Sequence, residues 1–195
     1  MFLTLGWLAL TYFIGSIPFG LFISRIVCGV DPRTAGSRNT GATNVARLCG
    51  TRYGVAVLAL DLLKGLLPVW AATTFSDNWV FLSLCALAAI VGHMHSCFLG
   101  LSGGKGFATS IGAFLALAFG QTLFAVILTL LTIKVTGYVS MGALFFGAAM
   151  PVLLLLTAEW GFILAALAMA VLLYWKHSEN IGRLARGEEK SWKKS

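Results

Sequence analysis

Residues 107–135, FATSIGAFLALAFGQTLFAVILTLLTIKV, decide how this chain is threaded. Read as two short apolar spans, Phe107–Phe119 and Thr122–Val135, broken only at Gly120-Gln121, they cross a bilayer and return. Read as one long tilted or re-entrant segment, they cross once. Both halves are short for a hydrocarbon layer of roughly 30 Å, so length does not choose between the two readings.

Parity does. Five more apolar runs are legible, at Leu3–Ser24, Val55–Phe75, Val80–Leu99, Met141–Thr157 and Gly161–Trp175. Apart from Lys64 and Lys134, the Lys and Arg residues fall in three polar stretches: Arg25 to Arg52, Gly92 to Gly106, and Lys176 to Ser195. The other connections, Ser76–Trp79 and Ala158–Gly161, carry Asp77 and Glu159 but no basic residue. Basic residues of short loops are retained in the cytoplasm. A hairpin at 107–135 puts all three stretches on that one side; a single crossing would strand the third. The expectation is therefore seven transmembrane helices, with the N-terminus outside and the C-terminus cytoplasmic.

Composition agrees with a membrane solvent. The 195 residues are 58% hydrophobic and only 11% charged, more apolar surface than a soluble domain of this size buries. The runs lack the alternation of barrel strands, and backbone groups in hydrocarbon must be satisfied internally. An all-α, polytopic integral membrane helical bundle follows, as one domain over 1–195. Met1–Leu10 carries no basic leader and no small-residue cleavage site, so it reads as a retained span. Pro18, Pro68 and Pro151 each interrupt a span, which in a bundle is usually architectural. Lys134 reaches the interface from the inner end of the fifth span. Lys64 lies about two turns into the second span, i,i+3 from Asp61, an arrangement equally suited to a structural pair and to catalysis.

The net charge of +7 fits an anionic leaflet or an anionic substrate, while the interleaved aromatics of a nucleic-acid surface are missing. Cys28, Cys49, Cys85 and Cys97 show neither CxxC spacing nor a cluster with His, so reduced, inert thiols and no metal are expected.

The first polar stretch contains Asp31-Pro32-Arg33, then Gly36-Ser37-Arg38-Asn39-Thr40-Gly41-Ala42-Thr43-Asn44, then Arg47. Hydroxyls and amides on Gly-permitted turns make concave donor arrays, and Arg offers a planar fork for phosphate oxygens. An ordinary turn leading into a helix capped by Thr43 or Asn44 is the equal alternative. The second stretch is sharper. Ser102-Gly103-Gly104-Lys105-Gly106 precedes an apolar span, so close backbone approach, free helix N–H groups and a lysine charge coincide. It is not a Walker A loop, because Leu99 and Gly106 stand where that motif needs Gly and Ser or Thr. His93 and His95 lack a completing metal shell and read as hydrogen-bonded helix-end residues. Neither has an Asp five residues on, since Phe98 and Gly100 occupy those positions, so no local His–carboxylate base pair is present.

In the third stretch His177, Asn180 and Arg183 or Leu184 share one face of a continued helix, giving a stripe of donors. Lys190, Lys193 and Lys194 read as interfacial anchors. Ser140, at the start of the sixth span on the same side, reads either as an N-cap or as one more phosphate donor.

Taken in order, Gly15-Ser16-Ile17-Pro18-Phe19-Gly20, Gly36-Ser37 to Asn44, Asp61 with Lys64-Gly65, Gly92-His93, Gly103-Gly104-Lys105-Gly106, Tyr138-Val139-Ser140, and His177 with Asn180-Ile181 and Arg183-Leu184 closely resemble the bacterial acyl-phosphate-dependent glycerol-3-phosphate acyltransferases, the PlsY family. The likeness runs over nearly the whole chain. It implies seven helices with the N-terminus outside, and transfer of a fatty acyl group from acyl phosphate to the 1-hydroxyl of glycerol 3-phosphate. The products are lysophosphatidic acid and inorganic phosphate, the first acylation step of phospholipid synthesis, in the inner membrane with the site facing the cytoplasm. By the same resemblance, Ser37, Asn39, Thr43, Asn44 and Arg47 form a polar wall. Lys105, Ser140, His177 and Asn180 bind the phosphates, and Gly103 and Gly104 shape the loop beside Gly106, with Gly41 in the first loop. The chain departs from the pattern where Arg38 replaces Gly, Ser96 replaces Pro after Gly-His, and Gly137 replaces an often basic residue.

Acyl phosphate is an activated mixed anhydride, so no cofactor and no covalent enzyme intermediate are needed; positioning and charge stabilisation suffice. By the same resemblance the hydroxyl proton can pass to a substrate phosphate oxygen; if a protein group takes it instead, His177 is the best base. The partners expected are the two substrates, the lipid bilayer and, functionally, the enzyme that supplies acyl phosphate, with no nucleic acid. A transporter of small organic phosphates is the rival reading, opposed by the gathering of polar groups on one side. A scaffold would leave the donor-rich loops unexplained.

Overall fold

The computed structural model describes residues 2–192, all-α apart from one isolated antiparallel bridge between Ser96 and Ser102. The α-helices among these residues are α1 (Phe2–Ser16), α2 (Phe19–Cys28), α3 (Ala42–Cys49), α4 (Thr51–Thr73), α5 (Trp79–Met94), α6 (Phe107–Leu117), α7 (Phe119–Thr136), α8 (Val139–Leu156), α9 (Ile163–Lys176) and α10 (Ser178–Ala185). They fall into two compact units, Met1–Ala116 and Leu117–Ser195. Lys193 and Lys194, expected as interfacial anchors, lie outside the described residues.

Every predicted span contains a helix, but the edges differ. Four helical stretches are long and apolar enough to cross a bilayer: Leu3–Cys28, Thr51–Thr73, Phe119–Thr136 and Val139–Leu156. Trp160–Lys176 with Ser178–Ala185, bent by 60°, makes a fifth when counted as one span. α5 and α6 are apolar but shorter, at 16 and 11 residues. The break between α6 and α7 falls at Ala118, not at Gly120-Gln121. Gly120 is instead accommodated inside a helix whose neighbours are strongly apolar, as glycine commonly is in membrane helices.

In the first unit α1 packs chiefly on α5, and α4 is in contact with both. Gly15 and Gly92 allow the close approach of α1 and α5, since a Cβ on either would strike the backbone of Ala89 or Tyr12 across the interface. Pro18 ends α1, and the carbonyls this exposes find donors elsewhere. Ser96 Oγ donates to the Ser16 oxygen at 2.6 Å, and Lys64 Nζ to the Ile17 oxygen at 2.8 Å. Pro68 and Pro151, by contrast, lie inside α4 and α8, which run on through them. Of the three prolines expected to interrupt spans, only Pro18 does, because in a packed bundle neighbouring groups offset the lost hydrogen bond. Leu67 and Trp70 on α4 point outward, as lipid-facing side chains do.

The expectation of four reduced thiols fails for one pair. Cys28 and Cys49 are joined as a disulfide with Cα atoms 5.7 Å apart, while Cys85 and Cys97 are free. The packing of α2 on α3 brings the two helix ends together, which a spacing of 21 residues does not reveal.

In the second unit α8 packs against α7 and α9. Gly137 ends α7 in the left-handed conformation, φ 80°, its N–H donating to the Ile133 oxygen at 2.8 Å. Any other side chain would be strained in this conformation. His177 is the hinge between α9 and α10.

Candidate active site

In the first unit the polar loop before α3 is organised by one side chain. Asn44, 1% exposed, donates through Nδ2 to the carbonyls of Pro32, Ala35 and Asn39 at 2.9, 3.1 and 2.9 Å and accepts the Ser37 N–H at 2.7 Å. Its polar atoms thus knit the loop from inside. Asn39 Oδ1 accepts the Gly41 N–H at 2.8 Å, a local turn of the kind Asn favours. The cap expected at Thr43 or Asn44 is corrected: α3 starts at Ala42 with Gly41 as N-cap, because the loop claims Asn44 and leaves Thr43 within the first turn. Ser37 and Arg47 are exposed, the latter on the last turn of α3. Arg38 holds the left-handed conformation, φ 55°, in which a glycine would be unstrained. Asp31, outside the spans, is held below the usual carboxylate range, chiefly by the hydrogen bonds from the Arg33 side chain and backbone, despite some opposing burial.

Deeper in this unit is a buried ionic cluster. Asp61 Oδ1 lies 2.8 Å from Lys64 Nζ and 3.6 Å from His93 Nδ1, and His93 Nδ1 is also 3.1 Å from Thr109 Oγ1. Asp61, Lys64 and His93, with Ser16, Thr40 and Gly103, line a small crevice. Local sequence showed no His–carboxylate pair, yet the fold makes one from residues 32 positions apart on α4 and α5. The signals were that both are polar residues within otherwise apolar runs and that each lies in a motif of the family resemblance, though nothing there pairs them. Among the described residues no group of three or more His, Cys, Asp or Glu is placed to hold a metal.

Lys105 is half-buried in the Gly103–Gly106 loop. The glycines serve the protein's own packing: an added Cβ would meet the His93 carbonyl at Gly103 and His93 Nε2 at Gly104. The Gly104 N–H donates to the His93 oxygen at 3.1 Å. Ser96, where Pro was expected by the resemblance, uses an N–H that Pro lacks, donating to the Ser102 oxygen at 3.1 Å. The loop is thereby fastened to the end of α5 with Lys105 on its rim.

In the second unit Ser140, Asn180 and Arg183 converge on a residue the sequence reading passed over. Ser140 Oγ donates to Glu189 Oε1 at 2.8 Å, Asn180 Nδ2 to the same oxygen, and Arg183 Nε to Oε2 at 2.7 Å. Burial pushes the Glu189 carboxyl up, but the hydrogen bonds from Asn180, Arg183 and Ser140 outweigh it and hold the group below its ordinary value. Ser140 is the second residue of α8, whose N-cap is Tyr138, so it is not a cap. His177 does not share a straight helical face with Asn180. The 60° bend sets it at the hinge, where its ring Nδ1 lies 2.8 Å from the Leu173 oxygen. A carbonyl only accepts, so Nδ1 carries a proton; when the ring is neutral, Nε2 is its accepting nitrogen. The one hint of Glu189 was an acidic pair, Glu188-Glu189, in an otherwise basic tail.

Apolar helices long enough to cross a bilayer, packed on one another within each unit, define a polytopic α-helical membrane protein. The family model described as Glycerol-3-phosphate acyltransferase matches residues 5–187, and the chain belongs to that family. A protein of Maridesulfovibrio salexigens named Glycerol-3-phosphate acyltransferase is 54% identical over 188 residues, 96% of each chain. Among solved structures, PlsY (YgiH), described as an integral membrane glycerol 3-phosphate acyltransferase, superposes in its glycerol 3-phosphate form with a TM-score of 0.92 and 36% identity. That match covers 97% of this chain and 95% of the other. The form described as lysphosphatidic acid gives 0.89 and 34%, covering 96% and 94%.

Proposed function

We propose that this protein transfers a fatty acyl group from acyl phosphate to the 1-hydroxyl of glycerol 3-phosphate at the cytoplasmic face of the bacterial inner membrane, releasing lysophosphatidate and inorganic phosphate. The observation that carries the reading is the full-length likeness to a solved acyltransferase whose two crystal forms are named for glycerol 3-phosphate and lysophosphatidic acid.

The glycerol oxygen attacks the acyl carbonyl carbon, the bond from that carbon to the bridging phosphate oxygen breaks, and the hydroxyl proton passes to a substrate phosphate oxygen. His177 Nε2 is the protein's own alternative acceptor. Lys105 and Arg47 neutralise the departing phosphate. Ser37, Asn39, Gly41, Thr43 and Asn44 supply and shape one polar wall, and Gly103, Gly104 and Gly106 set the lysine loop. Ser140, His177 and Asn180 bind phosphate groups of the substrates. The alkyl chain, worth about 0.8 kcal/mol per buried methylene, draws the donor to the membrane. The chain works as one domain with seven crossings, α5 and α6 being the short ones, its N-terminus outside and its basic loops inside. This topology rests on the one-sided placement of Lys and Arg. An enzyme that makes acyl phosphate supplies the labile donor.

Proteoliposomes given acyl phosphate and glycerol 3-phosphate test the reading. Lysophosphatidate and inorganic phosphate are expected together. Uptake of glycerol 3-phosphate into the lumen without lysolipid would identify a transporter instead.

A further inference from the structure

Three glycines flank Lys105, and what a side chain at each would meet identifies the surface that shapes the loop. A Cβ at Gly103 would strike the His93 carbonyl and the Met94 backbone, one at Gly104 the His93 imidazole through Nε2, and one at Gly106 the Met94 side chain. All three contacts fall on two consecutive buried residues at the end of α5. Gly106 also has a left-handed backbone, φ 80°, whereas Gly104 does not, and the nearest atoms a Gly104 side chain would meet all belong to the His93 ring.

A ring free to swing would yield to an added methyl group, but this one is held. Nδ1 lies 3.1 Å from Thr109 Oγ1 and 3.6 Å from Asp61 Oδ1, and Asp61 is itself paired with Lys64 at 2.8 Å. Gly65 and Gly112 bring α4 and α6 together beside it, since a Cβ on either would meet the Thr109 or Leu62 carbonyl. His93 therefore fixes both ends of the loop. Its carbonyl accepts the Gly104 N–H at 3.1 Å, and its ring is tied through Thr109 to the first turn of α6, just past Gly106. Gly104 and Gly106 are buried against this mould, and Lys105 between them stays on the rim.

We propose that His93 is a positioning residue of the transfer reaction: braced by Thr109 and by the Asp61–Lys64 pair, its ring and carbonyl hold the Gly103–Gly106 loop in the shape that sets the Lys105 ammonium against the departing phosphate. This inference rests on the acyltransferase reading above and deepens it, making the buried cluster of the first unit the support of the lysine loop. Misplacing a preorganised group by about 1 Å costs on the order of 100-fold in rate, so a residue acting only through the loop governs turnover.

The test uses the full-length protein in nanodiscs, with H93A, T109V, G104A and K105A, and the doubles H93A/G104A, H93A/K105A and T109V/K105A. Turnover with acyl phosphate and KM for glycerol 3-phosphate are measured beside hydrogen exchange of residues 103–106 without substrates. H93A is expected to lower kcat at least about tenfold with KM within about twofold, and to speed loop exchange at least about fivefold. In the K105A background the same change should cost less than about twofold, because His93 acts through that lysine. G104A should also lose at least about tenfold in kcat, and H93A/G104A should be no worse than about twofold beyond H93A, since the ring that excludes the methyl group is gone. Wild-type kcat in H93A, or the full H93A loss persisting in K105A, overturns the proposal. If H93A does not remain monodisperse, Thr109 decides: a loss of at least about threefold in T109V that vanishes in T109V/K105A supports it, and wild-type turnover in T109V or a loss that persists overturns it. Wild-type protein that makes no lysophosphatidate sinks the acyltransferase reading, while loop exchange still judges His93: faster exchange in H93A and T109V supports its hold on the loop, and unchanged exchange overturns it.

Discussion

Lys64 Nζ on α4 donates to the backbone oxygen of Ile17 at 2.8 Å, closing the gap that Pro18 opens between α1 and α2. The same ammonium lies 2.8 Å from Asp61, so one side chain joins the broken first span, the second span and a buried carboxylate. Replacing Lys64 by Met strands both the Asp61 charge and the Ile17 carbonyl. The expected loss is about 3–5 kcal/mol, the usual cost of breaking a buried pair from one side. Thermal unfolding of the detergent-solubilised protein should show a clearly lowered midpoint, with D61N/K64M recovering part of it. A K64M midpoint equal to wild type would remove the network from the account.

Arg38 pays for its left-handed backbone with side-chain strain that glycine avoids. R38G is therefore expected to stabilise the first loop by up to about 1 kcal/mol, less the entropy glycine loses on folding. Hydrogen exchange across residues 32–41 reads this locally. Faster exchange in R38G would mean that the arginine side chain contributes more than its backbone costs.

Those two relationships show what the sequence makes legible. Apolar runs mark the helices, because a bilayer leaves little choice of spanning element. Glycine is ambiguous, however: Gly120 read as a break and lies in a helix, while Gly137 stood only as a departure from the family pattern and is a helix stop. The Lys105 loop and the Asn39-to-Asn44 segment stood out by composition, but composition does not tell that Asn44 turns inward to hold the loop. Long-range pairs were hidden altogether. Asp61 with His93, Cys28 with Cys49, and Glu189 with Ser140 are set by how helices pack, and no local spacing encodes them.

Lys105 and His177 carry separable expectations. K105A should lower turnover by at least about 100-fold, the scale of removing one preorganised donor from a developing anion. Near-normal kcat in folded K105A would exclude it from the site. H177Q should chiefly raise KM for glycerol 3-phosphate if the ring only orients substrate. A fall confined to kcat, with one limb missing from the pH profile, would instead assign the proton to Nε2.

Glu189 ties stability to pH. Its carboxyl is held below the unfolded value, so in the folded state it stays ionised to lower pH than in the unfolded chain. The stability it contributes is fully present above the ordinary carboxylate range and is lost as pH falls through the depressed folded value. The unfolding midpoint of the wild type should therefore drop more steeply than that of E189Q on acidification below about pH 4.5. Parallel slopes would contradict the hydrogen-bonded, ionised state of this group.

The most direct test is the donor. Purified protein supplied with glycerol 3-phosphate and, in separate reactions, acyl phosphate, acyl thioester or free fatty acid should form lysophosphatidate from acyl phosphate alone, releasing one inorganic phosphate for each lysolipid. Lysophosphatidate formed equally well from a thioester, or acyl phosphate consumed without lysolipid, would contradict it.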